Sequence, residues 1–351
     1  MWMRLAIGPA VLGAALSSLL PACAQPPPVA PGAALSNPAA LVVIDAPSNL
    51  GLRPPAPGVE PGVRKLPDAL RATGLLQRLQ AGDGGRVDAP PYSPAADFAI
   101  GFRNGAALRD YSQALADRLM PLLAQDRFVL LGSGLALKQR GRYGLAFIDA
   151  HDDFSFIRDR RRYRGLLTAA GLDLGLATGH GPAALSDLRG RSPYFRSDDV
   201  VHLGLAVADQ DRVDYEVESF ERSGIHAIDA AAIRRLGAER AGREARARLE
   251  ARPTKGYWIH LDADVLAERV MPAVDSPNPG GLDFAQLRAL LAQLLASPDA
   301  VGMELTIFDP DLDPDGRLAS HLADTVAGAF EDSGRWSRQG AADAASPAPA
   351  R

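Results

Sequence analysis

Two short segments of this chain place acidic or imidazole side chains at every second position. The first segment reads FIDAHDDF and the second reads YWIHLDAD. Five groups at this spacing follow the apolar runs and are the candidate ligands, namely Asp149, His151, Asp153, Asp262 and Asp264. Side chains two positions apart in an extended segment point to the same side, so each set can face one point. Carboxylate and imidazole groups arranged in this way could bind a divalent cation.

These five groups need a partner if they meet in the folded protein. Carboxylates brought together in a partly buried cleft destabilise the folded state through desolvation and mutual repulsion, unless a counter-charge is present. One such segment alone could simply cap a turn, but two segments at matching strand ends favour a metal centre. Carboxylate-rich sites with one imidazole suit Mn²⁺ best, with Zn²⁺ and Fe²⁺ as alternatives.

The segments around these groups have the pattern of an α/β fold. Short apolar runs alternate with segments of helical periodicity, which predicts a parallel sheet covered by helices on both faces. The predicted strands are 40–44, 127–131, 145–148, 200–205, 257–261 and 300–308, and the predicted helices are 106–124, 284–295 and one around 230–249. Ligands bind at the carboxyl ends of the strands in such sheets, and both acidic segments fall there.

The two segments resemble the signatures of a known superfamily. DAHDD at 149–153 is similar to the D-A-H-x-D signature of the arginase, agmatinase and formiminoglutamase superfamily, the ureohydrolases. The stretch 260–282 is similar to their second signature, and the resemblance covers about residues 40–330. It implies a three-layer α/β/α fold with a mainly parallel sheet. It also implies two Mn²⁺ ions that activate water for attack on the central carbon of a small guanidino or amidine substrate.

The resemblance also implies a role for each of the five groups. Asp149 and Asp262 would bridge the two ions. His151 and Asp264 would complete one site, called site B here. Asp153 would belong to the other, called site A.

The chain departs from the superfamily pattern at site A. Members carry a motif such as G-G-D-H-S, whose His is a site A ligand, just after the strand that precedes D-A-H-x-D. Here no His, Cys, Asp or Glu lies between Asp126 and Asp149, so either Leu135 occupies the ligand position or several residues are deleted. We therefore expect a degenerate site A and one or two bound ions. The alternatives are a catalytically inactive member and a deacetylase-like amidohydrolase with a single metal.

Substrate recognition differs as well. Arginases and agmatinases have a Glu that contacts the guanidinium, and Ile307 stands at that position here. Arginine or agmatine specificity therefore does not follow from the resemblance. The candidate substrate contacts are His180, in a glycine-flanked loop, and Glu304, in the last predicted strand. His202 and His260 fall within predicted strands and are expected to lie in the core or to support the ligands.

The bulk composition excludes several function classes. The chain has 351 residues, of which 47% are hydrophobic and 23% charged, as is typical of a globular protein. A formal net charge of -4 provides no broad basic field for nucleic acid or an anionic membrane surface. Cys23 is the single cysteine, so disulfides, zinc–thiolate sites and a cysteine nucleophile are excluded.

The two ends of the chain are predicted to lie outside the domain. An early cation, an apolar stretch and the sequence LPACA predict an export signal. Cys23 fits a lipobox, in which it would be lipidated, and the same residues equally fit an ordinary A-x-A cleavage site. The predicted segments are a signal at 1–23, a Pro/Ala-rich linker at 24–38, the domain at 39–330 and a disordered tail at 331–351. We expect an exported protein, either periplasmic or lipid-anchored at the cell envelope, and a homo-oligomer because the superfamily is often oligomeric.

Overall fold

Strands of a single parallel sheet form the centre of the structure. A computed structural model describes residues 41–95, 97–130, 134–154, 156–157, 168–206, 217–218 and 220–335, all within one compact unit. Cys23, the predicted signal, the linker and most of the predicted tail lie outside the described residues. The strands of the main sheet are β1 (Leu41–Asp45), β2 (Gly82–Arg86), β3 (Phe128–Leu130), β4 (Gly144–Ile148), β6 (Val200–Leu203), β8 (His226–Ile228), β9 (Tyr257–Asp262) and β10 (Ala300–Thr306).

The sheet has eight strands in the order β2-β1-β3-β10-β9-β4-β6-β8, and every neighbouring pair is parallel. Two further strands, β5 (Phe156–Ile157) and β7 (Val217–Glu218), pair antiparallel in a separate ribbon. Each of the six predicted strands is present, with small differences at its ends. The acidic segments therefore follow two adjacent strands, β4 and β9, at the same edge of the sheet.

Helices connect the strands and cover the sheet. They are α1 (Leu66–Ala72), α2 (Leu75–Leu79), α3 (Gly105–Leu123), α4 (Gly134–Arg140), α5 (Asp173–Ala177), α6 (Ala183–Ser186), α7 (Ala230–Leu236), α8 (Ala238–Glu250), α9 (Phe284–Leu295) and α10 (Arg317–Asp332). Helix α9 starts with a capping box, in which the Asp283 side chain accepts from the Gln286 amide and the Gln286 side chain accepts in return. The single helix predicted around 230–249 is two helices, because Gly237 has φ +88 and ends α7.

Two apolar clusters lie on opposite faces of the sheet. Ala146 and Ile148 of β4 belong to the cluster that contains α8, α9 and α10. Leu145 and Phe147 belong to the cluster that contains α3 and α4. Alternate residues of one strand thus pack under different helical layers. This arrangement confirms the predicted three-layer α/β/α fold.

The ordered chain continues beyond the predicted end of the domain. Helix α10 ends at Asp332, and the Arg335 guanidinium donates to the carbonyls of Ser297 (2.6 Å) and Ala300 (2.9 Å). These contacts attach the segment after α10 to the start of β10, and the domain bounds of 39–330 stay a prediction. None of the helices within the described ranges has the length and apolarity needed to cross a lipid bilayer.

Candidate metal centre

The register of three central strands brings the acidic segments together. Ile148 of β4 lies opposite Leu261 of β9, and Asp262 at the end of β9 lies opposite Thr306 of β10. Asp149 directly follows β4. Because the strands are parallel, Asp149 and Asp262 emerge side by side at the carboxyl edge of the sheet, where open α/β sheets bind ligands.

Asp149, His151 and Asp264 form what we call the first ligand set. Each offers a ligand atom, and these atoms lie within 4.8 Å of one another. His151 Nδ1 is 3.1 Å from Asp264 Oδ2 and 3.5 Å from Asp149 Oδ1. Both carboxylates are buried, whereas the His151 side chain is 27% exposed. The first ligand set matches three of the four residues expected at site B, and it can be reached from solvent.

The same local turn orients both acidic segments. Asp149 Oδ1 accepts from the amide of His151 at 2.6 Å, and Asp262 Oδ1 accepts from the amide of Asp264 at 2.8 Å. His202, fully buried on β6, donates from Nε2 to the carbonyl of His151 at 2.7 Å, since a carbonyl can only accept. Burial lowers the pKa of His202 to about 4, so the ring is neutral and supports the loop. This agrees with its predicted supporting role.

Two carboxylate oxygens of the first ligand set lack a protein partner. Asp149 Oδ2 and Asp264 Oδ1 are buried and have no hydrogen-bond partner in the part of the chain that the structure describes. A buried acceptor without a donor destabilises the folded state by about 1–3 kcal/mol. A divalent cation would supply the missing partner, and oxygen and imidazole ligands suit Mn²⁺, Zn²⁺ or Fe²⁺. The residues present therefore fit a bound ion.

The electrostatics also favour a cation. Burial, followed by the charges of Asp264 and Asp262, raises the pKa of Asp149 well above its ordinary value. Burial and the Asp264 charge do the same to the pKa of Asp262. Burial pulls the pKa of His151 down, but its hydrogen bond to Asp264 and the surrounding negative charges raise it further, so the net shift is upward. The centre thus attracts positive charge, which a metal ion would provide.

Asp149, His260 and Asp262 form a second ligand set, and its atoms also lie within 4.8 Å of one another. The His260 side chain is buried, stacks on Phe147 with the ring centroids 4.4 Å apart, and bonds through Nδ1 to Glu304 Oε1 at 2.8 Å. The sequence assigned His260 to the core or to a supporting role, so the structure adds a candidate ligand. A signal was available, because His260 precedes Asp262 by the same spacing of two that singled out the other ligands.

Asp153 lies beside these sets but belongs to neither. It is buried at φ +43, its carbonyl accepts from the amide of Gly175 at 3.0 Å, and its side chain hydrogen-bonds Asp173. Burial, followed by the charge of Asp149, raises the pKa of Asp153 well above its ordinary value. Its role as a metal ligand stays a prediction. Asp173, the first residue of α5, was not predicted at all, since an isolated Asp within a helical pattern gives no signal.

A cavity of about 410 Å³ opens onto the first ligand set and is called the acid-lined cavity here. Five carboxylates share its lining, namely Asp152, Asp153, Asp262, Asp264 and Asp275. His151, Arg53 and Ile307 also line it. Burial raises the pKa of Asp275. The excess of carboxylates suits a small cationic ligand.

The two predicted substrate contacts lie elsewhere among the described residues. Glu304 is bonded to His260 and lines a different cavity of about 270 Å³, together with Leu135 and Phe147. The His180 ring packs against Phe154 with the centroids 4.7 Å apart. Neither lines the acid-lined cavity. Their role in substrate binding stays a prediction, and the contacts of Glu304 are those of a group that orients His260.

Comparison with known proteins gives the family. The model of the arginase family matches residues 39–330. The chain belongs to the arginase family. It is 26% identical to the arginase of Bacillus caldovelox over 277 residues, which cover 74% of this chain and 89% of that protein. It is 36% identical to the formimidoylglutamase of Halobacterium salinarum over 100 residues, 28% of this chain and 31% of that protein.

Solved arginase structures share the fold. The native structure of the Bacillus caldovelox arginase has a TM-score of 0.72 and 23% sequence identity, and the match covers 83% of this chain and 98% of that one. The Bacillus cereus arginase has a TM-score of 0.68 at 23% identity, covering 83% and 97%. The protein is thus an arginase-family hydrolase with candidate metal-binding residues at the carboxyl edge of its sheet.

Proposed function

We propose that this protein is a metal-dependent hydrolase of C–N bonds in linear amidine or guanidino compounds. The observation that carries the proposal is the position of Asp149, which offers ligand atoms to both ligand sets beside the acid-lined cavity. Relatives of the chain are named arginase, formimidoylglutamase and N(1)-aminopropylagmatine ureohydrolase, which supports this type of bond.

The first ligand set would hold the metal ion, with Mn²⁺ as the expected metal and Zn²⁺ or Fe²⁺ as alternatives. When bound, a divalent ion lowers the pKa of a coordinated water and polarises the bond under attack. The chain itself fixes the ligands through the turns at Asp149 and Asp262 and through the hydrogen bond from His202 to the His151 carbonyl. Ligands held in this way lose little freedom when the ion binds.

The substrate would be held by carboxylates of the cavity. An amidinium or guanidinium is a planar cation with several N–H donors, and carboxylate oxygens are its natural acceptors. Ile307 offers neither charge nor acceptor where arginases have a Glu. We propose that the cation is bound instead by Asp152, Asp153 or Asp275, which line the same cavity. A different set of carboxylates implies a substrate other than arginine, with its cation placed differently.

Turnover by the purified full-length protein tests this proposal. After loading with Mn²⁺, Zn²⁺ or Fe²⁺, the protein is given arginine, agmatine, aminopropylagmatine and N-formimidoylglutamate, and the released urea, formamide or ammonia is measured. We expect turnover of at least one compound, and the Asp149→Asn variant should lose more than about 100-fold, because even groups that only support a ligand contribute 10–100-fold. Asp110→Asn, which changes an exposed carboxylate of α3, is the matched control.

Three outcomes would contradict the proposal. Equal turnover in the Asp149→Asn variant would exclude the metal centre as the reaction site. Release of acetate from acetylated amines without amidine hydrolysis would favour the deacetylase-like alternative. A metal-loaded protein that turns over none of these compounds would favour a catalytically inactive binding protein.

A further inference from the structure

We infer that His260 supplies the imidazole ligand of a second metal ion, in place of the one that site A has lost. This inference rests on the metal centre of the proposed function and identifies the ligands of its second ion. The strand β9, rather than the loop after β3, would then provide the nitrogen donor. The degenerate site A expected from the sequence would be a rebuilt site instead.

The register of the sheet places His260 beside the bridging carboxylates. His260 and Asp262 are two residues apart on β9, so their side chains leave the same face of the sheet. Phe147 of β4 lies opposite His260, and the two rings stack at an interplanar angle of 4°. The imidazole is held flat against β4, where a ligand atom of His260 lies within 4.8 Å of those of Asp149 and Asp262.

The His260 ring has one nitrogen in a hydrogen bond and one without a partner in the described part of the chain. Nδ1 is 2.8 Å from Glu304 Oε1, which fixes its hydrogen on Nδ1 because a carboxylate accepts. Nε2 is buried and has no hydrogen-bond partner within the described ranges. Its distance of 3.8 Å to Asp173 Oδ2 is too long for a hydrogen bond. A His whose other ring nitrogen donates to a carboxylate is the usual arrangement of a metal ligand.

Asp173 lies next to His260 but outside the second ligand set. Its Oδ1 is buried and also lacks a hydrogen-bond partner among the described residues, and its side chain hydrogen-bonds Asp153. Oxygens from Asp149 and Asp262 together with one imidazole nitrogen form a donor set that suits Mn²⁺. The second site would therefore share Asp149 and Asp262 with the first.

Leu135 shows why the imidazole comes from the sheet. It stands at the position that a direct alignment gives to the missing ligand, is 2% exposed and packs in the same apolar cluster as Phe147. The cavity of about 270 Å³ that Leu135 lines also contains Asp173, His260 and Glu304. An apolar side chain thus occupies the position of the missing ligand, while the imidazole of β9 lines the same space.

Metal stoichiometry of the full-length protein tests the inference without an activity assay. The protein is loaded with Mn²⁺ and desalted, its metal content is measured by mass spectrometry, and its electron paramagnetic resonance spectrum is recorded. We expect two ions per chain and the spectrum of a spin-coupled Mn²⁺ pair. The His260→Asn variant should retain one ion and an uncoupled spectrum. His226→Asn, on the edge strand β8, should retain both ions and serves as the matched control.

A milder variant tests the orientation of the ring. Glu304→Gln keeps the size of the side chain but removes the charged acceptor of Nδ1, so the affinity for the second ion, measured by titration calorimetry, should fall 10–100-fold while the first is unchanged. Circular dichroism checks that each variant is folded.

One ion per chain in the wild type, or two in a folded His260→Asn variant, would overturn the inference. If the protein hydrolyses amidines with one bound ion, the inference fails and the proposed function stands. If it binds two ions but shows no turnover, the inference stands and the proposed function fails.

Discussion

Ile307 has a backbone conformation that β-branched residues rarely adopt. It follows β10 directly with φ +69, lines the acid-lined cavity and contacts the main apolar cluster. A left-handed conformation costs a non-glycine residue about 1–2 kcal/mol, and such strain is often found at binding sites. The turn separates Ile307 from Glu304, which lines a different cavity. The strained residue thus presents an apolar surface to the cavity where arginases present a Glu.

The strain at Ile307 predicts that two variants at this position reverse their usual order of stability. Ile307→Gly and Ile307→Ala remove similar packing, but only glycine adopts φ +69 freely. The Gly variant should therefore have the larger free energy of unfolding, by about 1 kcal/mol. Urea denaturation of both proteins measures the difference. The control pair is Val301→Gly and Val301→Ala inside β10, where the Ala variant should be the more stable. An Ala variant that is more stable at Ile307 as well would contradict the prediction.

At the scale of elements, a buried ion pair joins three segments at the opposite edge of the sheet. The Asp199 carboxylate, just before β6, accepts from Arg142 Nε (2.6 Å) and Nη2 (2.8 Å) and from Arg252 Nε (3.0 Å). Arg142 precedes β4, and Arg252 follows α8. Burial raises the pKa of Asp199, but the hydrogen bonds and charges of the two guanidinium groups lower it more, so the net shift is downward. The pair holds the amino ends of β4 and β6 together.

Replacing Asp199 should destabilise the fold in a pH-dependent way. We expect Asp199→Asn to lower the free energy of unfolding by about 2 kcal/mol at pH 7, because two partly exposed guanidinium groups lose their buried partner. A folded-state pKa below the unfolded value of about 3.9 means that this contribution is complete above pH ~4 and is lost as the pH falls through the folded pKa. Urea denaturation between pH 7 and pH 3 should show the difference shrinking with acid.

The matched control for Asp199 is an exposed ion pair. Asp117→Asn removes the partner of Arg189, but the Asp117 side chain is 61% exposed, so its effect should stay within about 0.5 kcal/mol. Equal effects of the two variants, or a difference for Asp199→Asn that is as large at pH 3 as at pH 7, would show that the buried ion pair does not stabilise the strand ends.

The elements that the sequence missed lack the pattern on which the prediction depends. β2 reads GDGGR and has no apolar alternation, and β8 has three residues. Both lie at the edges of the sheet, where pairing on one side needs little apolar surface. The central strands were predictable because they are largely buried on both faces and are therefore mostly apolar. Which segments form these strands can therefore be read from local composition alone.

At the scale of the whole molecule, we propose that the protein is exported, either soluble in the periplasm or anchored through a lipid on Cys23, and the lipid-anchored alternative makes a direct prediction. In a bacterial host, the full-length wild type should pellet with membranes and incorporate radiolabelled palmitate. Cys23→Ala keeps an A-x-A cleavage site, so this variant should be processed to a soluble exported protein. A wild type that is soluble and unlabelled, like the variant, would show that ordinary cleavage takes place and that Cys23 carries no lipid.

The sequence by itself determined the layered fold and most of the candidate metal centre. Alternation within a strand and the end of an apolar run are local features, so Asp149, His151, Asp262 and Asp264 could be selected from a few neighbouring residues each. Their convergence at one edge followed from the general rule for parallel sheets.

Only the tertiary structure decided which groups surround those ligands. Glu304 meets His260 across 44 residues because β10 pairs with β9, and Asp173 reaches the same place from α5. The order of strands results from the packing of the whole sheet, which no local pattern records. His260 therefore looked like a core residue in the sequence. In the fold it is an imidazole with one nitrogen bonded to a carboxylate, and it offers a ligand atom within 4.8 Å of those of Asp149 and Asp262.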